Sequence, residues 1–214
     1  MRLRNIPGAD AAVTACPYVI DEPSALRGKW NTHFEKEQPI HIEVGMGKGQ
    51  FLFGQAAAHP DINYIGIERY TSVLLRAIQK IDPENPPKNL LFVCMDAAEL
   101  PEVFAPDEIS RIYLNFSDPW PKNRDRKRRL THVNFLETYK KLLKPNGILR
   151  IKTDNVGLFD FTLDQLEQAG FETFDLTRDL HSSDIENEVM TEYEKRFSEQ
   201  GFPINAVKAK VKRD

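Results

Sequence analysis

From residue 40 onward the chain alternates short apolar runs with segments of helical periodicity, and this alternation limits the fold more than any other feature. It is typical of βαβ units, in which parallel strands are joined by crossover helices that cover the sheet. We therefore predict an α/β fold built on a mostly parallel sheet, with helices on both of its faces. The five runs are IHIEV (40–44), NYIGIE (63–68), LLFVCMD (90–96), RIYLNFS (111–117) and GILRIKTD (147–154).

Amphipathic helices are predicted between these runs, because apolar residues recur three and four positions apart. Their apolar faces comprise Leu74, Ala77, Ile78 and Ile81, then Leu136, Tyr139 and Leu143, then Phe159, Leu163 and Leu166. Thr131 is predicted to open the second of these helices, and Gly170 to close the third. The alternating run INAVKAKV (204–211) predicts a last strand near the C-terminus.

An acidic residue lies near, at or just beyond the end of each of the five predicted strands. A single acid at such a position is more often a solvated turn residue, but five equivalent positions favour a binding site. In an open parallel sheet the ligand crevice lies outside the carboxyl ends of the strands, so we expect all five side chains to face one cleft. They are Glu43, Glu68, Asp96, Asp118 and Asp154.

Three glycines follow the first predicted strand, in the segment EVGMGKGQF. Gly45, Gly47 and Gly49 allow the backbone to turn tightly and to approach a ligand closely before a helix begins. This signal is weak by itself, since dinucleotide-binding proteins use a similar turn.

Acidic residues around the glycine loop narrow the choice of ligand. Glu68 lies nineteen residues beyond Gly49, where an acid can accept both hydroxyls of a ribose, as NAD and S-adenosylmethionine both require. Glu43 before the loop and Asp96 at the end of the third run favour S-adenosylmethionine, because carboxylates attract a sulfonium and repel a pyrophosphate.

Basic residues are concentrated in the segment NFSDPWPKNRDRKRR (115–129). Its last eight positions hold six basic residues and one acid, a local charge of +5 in a chain whose total is −3. Such a cluster indicates a polyanionic partner bound at one place, and we favour phosphate contacts over a solvated face. For Trp120 two interpretations stay open, a stacking platform for a base and a packed anchor of the loop.

The composition excludes several classes of protein. A chain of 214 residues is long enough to build one substantial core. Its pI near 6.0 argues against a protein that coats nucleic acid non-specifically. Cys16, Cys94 and the five histidines lack disulfide or metal-ligand spacing, so we expect no metal. No segment approaches the ~18 apolar residues of a membrane span, and we expect a soluble, cytoplasmic protein.

Five segments together closely resemble the bacterial tRNA (guanine-N7-)-methyltransferase family. The most specific are the DPWPK segment with its basic run and the TEYE element, whereas the glycine loop alone would indicate only a class I methyltransferase. The resemblance implies a Rossmann-like class I methyltransferase fold, with a seven-stranded sheet and an antiparallel C-terminal strand. The segments are EVGMGKGQF, GIE (66–68), NFSDPWPKNRDRKRR, IKTDN (151–155) and TEYEKRF (191–197).

The resemblance also implies S-adenosylmethionine as cofactor and tRNA as partner, without metal or membrane, in a monomer or homodimer. Asp118 would be the catalytic residue. The cofactor would contact Glu43, Gly45, Gly47, Glu68, Asp96 and Asp118. The target guanosine would contact Lys122, Asp154, Thr191, Glu192, Tyr193 and Glu194. RNA would contact Arg124, Arg126, Lys127, Arg128 and Arg129.

The implied reaction is formation of 7-methylguanosine at the variable-loop guanosine of tRNA. Guanine N7 carries a lone pair and no proton, so Asp118 would act by electrostatic support or by orientation and not as a general base. One alternative is a methyltransferase acting on an exocyclic amine, although NFSDPW lacks the second proline of the motif typical of those enzymes. The other is a non-catalytic RNA-binding module with the same fold.

The first 39 residues lack clear periodicity and are interrupted by four prolines. We predict that residues 1–39 form an arm packed on a single methyltransferase domain of residues 40–214. Apolar side chains for this packing are Tyr18, Val19, Ile20 and Trp30. The less favoured alternative is an arm that contacts RNA through Arg2, Arg4, Arg27 and Lys29.

Overall fold

The computed structural model describes residues 6–212, so Arg2 and Arg4 of the predicted arm lie outside the described residues. The chain divides into two compact units, one that ends at Ala105 and one that begins at Pro106. Each unit contains four strands, so the described residues hold eight strands where the resemblance implied seven. The predicted α/β class is confirmed.

The first unit is a parallel array of strands with connecting helices. Its strands are β1 (Val19–Ile20), β2 (Ile40–Val44), β3 (Asn63–Glu68) and β4 (Leu90–Cys94). Its helices are α1 (Ala9–Thr14), α2 (Gln50–Ala58), α3 (Thr71–Ile78) and α4 (Leu100–Val103). The strands lie in the order β1-β4-β3-β2, and every pair within this unit is parallel.

Strands β2 and β3 begin and end where the apolar runs predicted them. Every residue of both strands is buried, including the polar Glu43, Asn63 and Glu68. Strands that are buried on both faces read as continuous apolar runs, which is why their bounds are visible in the sequence. In α3 the helix ends at Ile78, so Ile81 of the predicted apolar face lies beyond it.

The N-terminal segment contributes regular structure to the first unit, where the sequence indicated none. Helix α1 packs against α3, and β1 pairs with β4 through Val19 and Ile20. Trp30 is fully buried, stacks on Phe104 and donates its indole N–H to the carbonyl oxygen of Val103 at 3.0 Å. The division into an arm of residues 1–39 and a domain of residues 40–214 stays a prediction.

The second unit contains parallel and antiparallel pairs. Its strands are β5 (Ile109–Asn115), β6 (Leu143–Thr153), β7 (Phe171–Thr177) and β8 (Asn205–Val211). Its helices are α5 (Val133–Leu142), α6 (Val156–Gln168) and α7 (Glu192–Ser198). The order is β5-β6-β8-β7, with β5 parallel to β6 and β8 antiparallel to both β6 and β7. The predicted antiparallel C-terminal strand is therefore confirmed.

The start of α5 differs from the prediction. His132, and not Thr131, caps the helix, and its Nδ1 accepts a hydrogen bond from the backbone N–H of Asn134 at 3.2 Å. Thr131 is buried and instead accepts a hydrogen bond from the Thr162 hydroxyl of α6 at 2.9 Å. Leu143 of the predicted helix face is the first residue of β6.

Helix α6 ends as the sequence predicted. Gly170 follows its C-cap with φ 75°, a left-handed conformation that glycine adopts without steric cost. Between residues 6 and 212, no helix has the length and apolar character that crossing a membrane requires.

Candidate functional site: a glycine loop and a nucleotide-binding edge

The glycine loop of the first unit follows β2 directly. Gly45, Gly47 and Gly49 have φ of 77°, 59° and 73°, a region that side-chain-bearing residues rarely adopt. The backbone N–H groups of Gly45 and Met46 both donate to the carbonyl oxygen of Ile67, which holds the loop against the end of β3. A Cβ built on Gly47 would meet no atom of the described chain within 4 Å, so the loop presents open backbone to a ligand.

Glu68, the last residue of β3, is hydrogen-bonded to this loop. Its Oε2 accepts the backbone N–H of Gly47 and its Oε1 accepts that of Tyr70, both at 3.1 Å. A carboxylate oxygen can accept more than one hydrogen bond, from a backbone N–H or from a hydroxyl group. The structure therefore brings Gly47 and Glu68 together, as the sequence predicted for a ribose-binding site.

Two further predicted acids lie at strand ends of the first unit. Glu43 is buried with 2% of its surface exposed, one residue before β2 ends. Asp96 caps the short 3-10 helix Ala97–Glu99 by accepting the backbone N–H of Ala98 at 3.0 Å, and it pairs with Arg69 at 3.2 Å. Asp96 thus has a structural task, and 39% of its side chain stays accessible.

The pKa of the Cys94 thiol reflects its burial and the acidic side chains around it. Burial raises the pKa of Cys94, and the carboxylates of Glu68, Asp10 and Glu99 raise it further. Negative potential of this kind attracts a cationic ligand and opposes a polyphosphate.

In the second unit, two strained residues bracket Asp118. Phe116 and Trp120 have φ of 52° and 41°, and bulky residues with positive φ are rare. Such strain persists only where the surroundings enforce it, and it concentrates at functional sites. Asp118 itself is exposed in the loop after β5.

Trp120 is held by the basic run that follows it. The guanidinium carbon of Arg128 lies 3.6 Å from the centroid of the Trp120 ring, a cation–π contact. Arg129 donates from Nη2 to the carbonyl oxygen of Trp120 at 3.1 Å and lies 4.3 Å from the ring centroid of Phe161. Because Arg128 already covers one face of the indole, the geometry favours the anchor interpretation of Trp120 over the stacking platform.

The remaining cations of the segment extend into solvent. Lys122 directly precedes the 3-10 helix Asn123–Arg128, which carries Arg124, Arg126 and Lys127. All four side chains are exposed. The positive charge of the segment also affects the neighbouring His132. Burial lowers the pKa of His132, and Arg126, Lys127 and Arg129 lower it further.

Asp154 and helix α7 meet in the second unit. The Tyr193 hydroxyl donates to Asp154 Oδ2 at 3.0 Å, and burial together with this carboxylate raises the pKa of Tyr193 to about 12. The Tyr193 ring stacks on Phe197 at a centroid distance of 4.1 Å and tilts against Phe116 at 5.0 Å. Thr191 caps α7 by accepting the backbone N–H of Glu194. The structure therefore joins the IKTDN and TEYE segments.

Glu194, predicted to bind substrate, is fully buried. Its Oε2 pairs with the buried ammonium group of Lys152 and accepts the backbone N–H of Thr191, while its Oε1 accepts Asn187 Nδ2 at 2.7 Å. His181 Nε2 lies 3.5 Å from the same Oε1. These bonds favour an indirect role for Glu194, with Thr191, Tyr193 and Asp154 nearer the surface; its substrate contact stays a prediction.

Sequence reasoning did not identify Lys152 or Asn187 as members of this network. Lys152 could have been noticed, because a lysine inside a run of buried strand residues requires an acidic partner. Asn187 carries no such signal, since it lies in an irregular segment.

The five strand-end acids belong to different units. Glu43, Glu68 and Asp96 lie in the first unit, and Asp118 and Asp154 lie in the second. The expectation that all five face one cleft stays a prediction. Within residues 6–212, no cluster of three or more histidine, cysteine, aspartate or glutamate side chains has a metal-binding arrangement.

Comparison with protein families and curated relatives identifies one kind of protein. A family model described as "Putative methyltransferase" matches residues 37–207. The tRNA (guanine-N(7)-)-methyltransferase of Lachnoclostridium phytofermentans is 51% identical over 210 residues, which cover 98% of each chain. The Bacillus subtilis protein of the same name is 46% identical over 205 residues, covering 95% of this chain and 96% of the relative.

Solved structures share the fold at low sequence identity. The 16S rRNA methyltransferase KamB has a TM-score of 0.60 at 14% identity, covering 86% of this chain and 91% of the other. A mutant 16S rRNA (adenine(1408)-N(1))-methyltransferase from Catenulisporales acidiphilia, with cosubstrate SAM, has a TM-score of 0.58 at 16% identity, covering 100% and 96%. These likenesses confirm the Rossmann-like class I methyltransferase fold. Together with the family model and the full-length relatives, they lead to one assignment: the chain belongs to the bacterial tRNA (guanine-N7-)-methyltransferase family.

Proposed function

We propose that this chain is an S-adenosylmethionine-dependent methyltransferase that forms 7-methylguanosine at the variable-loop guanosine of tRNA. The observation that carries the proposal is the 51% identity, over 98% of both chains, to a curated tRNA (guanine-N(7)-)-methyltransferase. A shared fold alone would not suffice, because one fold supports many activities. Local geometry adds support, since the hydrogen bond between Glu68 and the glycine loop, the strained backbone around Asp118 and the contact between Tyr193 and Asp154 are compatible with the reaction.

The first unit carries residues that fit S-adenosylmethionine. Gly47 leaves space beside the backbone of the loop, and Glu68, which accepts the N–H of Gly47, is the carboxylate proposed to accept the ribose hydroxyls. Glu43 and Asp96 add negative charge, which suits a sulfonium and an adenine amino group. When bound, the cofactor supplies a methyl group on a positively charged sulfur.

Asp118 is proposed as the catalytic residue, and it also contacts the cofactor. Guanine N7 has a free lone pair, so the base needs alignment and charge stabilisation rather than deprotonation. The product base is cationic, and a nearby carboxylate stabilises positive charge as it develops on the purine. The strained conformations of Phe116 and Trp120 on either side of Asp118 support a loop that is held in one shape for this task.

The target guanosine is proposed to bind beside Asp154. Guanine offers N1 and N2 donors on its Watson–Crick edge, and a carboxylate accepts both. Tyr193 donates to Asp154. Its sequence neighbours Thr191 and Glu192 are proposed to contact the same nucleotide, and Lys122 is proposed to bind the phosphate of that nucleotide. Adenine would leave the Asp154 carboxylate unpaired, which gives discrimination between the two purines.

The tRNA backbone is proposed to contact the basic run. Arg124, Arg126 and Lys127 are exposed on the 3-10 helix, where cations can neutralise phosphates. Arg128 and Arg129 contribute charge while they hold Trp120. A tRNA substrate fits the cytoplasmic location expected from the sequence, and the active form is a monomer or homodimer.

The test is incubation of unmodified tRNA with S-adenosylmethionine labelled in its methyl group, followed by nucleoside analysis and mapping. We expect labelled 7-methylguanosine at the variable-loop guanosine. An N2-methylated product would support the exocyclic-amine alternative, and absence of cofactor binding by calorimetry would support a non-catalytic module; either result overturns the proposal.

Replacement of Asp118 tests its proposed role. Asp118→Asn should lower kcat at least about 100-fold, the size of effect seen when one electrostatic catalytic group is removed. Asp125→Asn, in the same basic segment and with 28% of its side chain exposed, is the matched control and should keep kcat. Equal activity of the two variants would contradict the assignment.

A further inference from the structure

The buried pair of Lys152 and Glu194 joins two distant parts of the chain. Lys152 lies on β6, two residues before Asp154, and Glu194 lies in the first turn of α7, 42 residues later in the sequence. Neither side chain has any solvent exposure, and the Lys152 Nζ contacts Glu194 Oε2 directly. A buried charge without a counter-charge is strongly destabilising, so each group depends on the other.

The pair is part of a larger set of bonds that fixes the segment 187–194. Asn187 donates to Glu194 Oε1 at 2.7 Å, and its own Oδ1 accepts from Lys152 Nζ at 3.2 Å and from Arg150 Nη2 at 3.0 Å. Glu194 also accepts the backbone N–H of Thr191, which completes the capping box of α7. Lys152 therefore contacts the start and the end of this segment.

The position of this segment decides where the nucleotide-facing side chains lie. Tyr193 reaches Asp154 by a single hydrogen bond at 3.0 Å, and 41% of Tyr193 is exposed. That exposed bond cannot by itself hold a segment that contains a buried carboxylate. The buried pair of Lys152 and Glu194 can hold this segment, and Lys152 lies only two residues before Asp154.

We propose that Lys152 is a positioning residue: its buried ammonium group holds Glu194, and through it the segment 187–194, so that Thr191 and Tyr193 stand beside Asp154. The role in substrate binding rests on the proposed function, whereas the role in docking the segment does not. Lys152 acts through Glu194 and does not touch the nucleotide.

Hydrogen exchange measured by mass spectrometry tests the docking without any substrate. In Lys152→Met the amides of residues 187–198 should exchange at least about tenfold faster than in the unsubstituted protein, while those of β5 keep their protection. Lys208→Met is the matched control, because Lys208 lies in the same group of strands on β8 and pairs with Asp175 nearer the surface, with 19% of the lysine side chain exposed. Unchanged exchange in Lys152→Met would overturn the proposal.

Steady-state kinetics then separates positioning from general loss of structure. Lys152→Met should raise the KM for tRNA by about 30-fold, as expected for loss of a buried charged hydrogen bond, with kcat changed less than KM. The cofactor affinity should stay within twofold, because Gly45, Gly47 and Glu68, its proposed ligands around the glycine loop, lie on other elements than β6 and α7. An equal loss in kcat and cofactor affinity, with an unchanged KM for tRNA, would contradict positioning.

The double variant Lys152→Met/Glu194→Gln keeps the test usable if the single variant fails to fold. Removing both charges leaves neither member of the pair as an unpaired buried ion, so the double variant should fold. If Lys152 acts only through Glu194, its tRNA KM equals that of Glu194→Gln alone. A further multiplied loss would show an independent role of Lys152 and overturn the proposal. Should the unsubstituted protein fail to methylate tRNA, the proposed function falls, and the exchange experiment still decides whether Lys152 docks the segment.

Discussion

Joint replacement of Arg126 and Lys127 by alanine tests whether the basic run binds phosphates. Both side chains are exposed on the 3-10 helix Asn123–Arg128, and neither takes part in the contacts that hold Trp120. Their removal should therefore change binding to tRNA without changing the free energy of unfolding by more than about 0.5 kcal/mol.

The size of the effect follows from counterion release. Each phosphate contact contributes about 0.7–0.9 to the slope of log affinity against log salt concentration, so losing two contacts should reduce the slope by about 1.4–1.8. Between about 50 and 200 mM salt, the unsubstituted protein should then lose about tenfold more affinity than the variant. At low salt, where the phosphate contacts are strongest, the variant should show its largest deficit.

Arg129→Ala is the matched comparison in the same run. Arg129 donates to Trp120 and lies over Phe161, so its removal should cost about 1–2 kcal/mol of stability, or about 2–8 °C in Tm. Its effect on the salt slope should be smaller than that of the double variant. The assays are fluorescence anisotropy of labelled tRNA at several salt concentrations and thermal unfolding. An unchanged slope in Arg126→Ala/Lys127→Ala would refute phosphate binding by these residues.

Three further substitutions test packing and ionisation. In Gly66→Ala the new methyl group would overlap Met46 and Leu52, so stability should fall by about 1–3 kcal/mol in thermal unfolding. Because Met46 lies in the glycine loop, calorimetry should also show weaker binding of S-adenosylmethionine. Gly157→Ala, at an exposed position of α6, should instead raise stability by about 0.5–1 kcal/mol; a lower Tm would contradict this. Burial raises the folded-state pKa of Tyr139 above its ordinary value of 10.0, so its contribution to stability is present below that pH and is lost as pH rises above it. In urea unfolding between about pH 7 and pH 11, Tyr139→Phe should therefore lose less stability than the unsubstituted protein; parallel losses would contradict it.

Strands are predictable from this sequence where burial is uniform. β2 and β3 have the predicted bounds because every residue in them is buried. β1 has only two residues and β7 contains a register shift between Phe174 and Thr177, where Asp175 has φ 47°. This bulge disrupts the alternation of apolar and polar residues, so β7 gives no clear strand pattern.

The candidate site is likewise predictable from the sequence only in part. The glycine loop and Glu68 are visible because a strand, a turn and a second strand place them in a fixed relation. The pairing of Lys152 with Glu194 is not visible, since two residues 42 positions apart become neighbours only through the packing of α7 on β6. Nor does a charge count reveal that Arg128 and Arg129 hold Trp120 while Arg126 and Lys127 stay exposed.

The short strand β1 of the N-terminal segment bears on the expected solubility of the protein, because it pairs with the edge of β4. Val19 and Ile20 pair with Phe92 and Val93 of β4, and the backbone N–H of Phe92 donates to the carbonyl oxygen of Tyr18 at 2.8 Å. Without this pairing, an apolar strand would present its unpaired backbone to other chains, and such edges promote aggregation. Because β1 covers the backbone edge of β4, we expect shortened chains that lack residues 18–20 to aggregate before any loss of tRNA affinity can be measured.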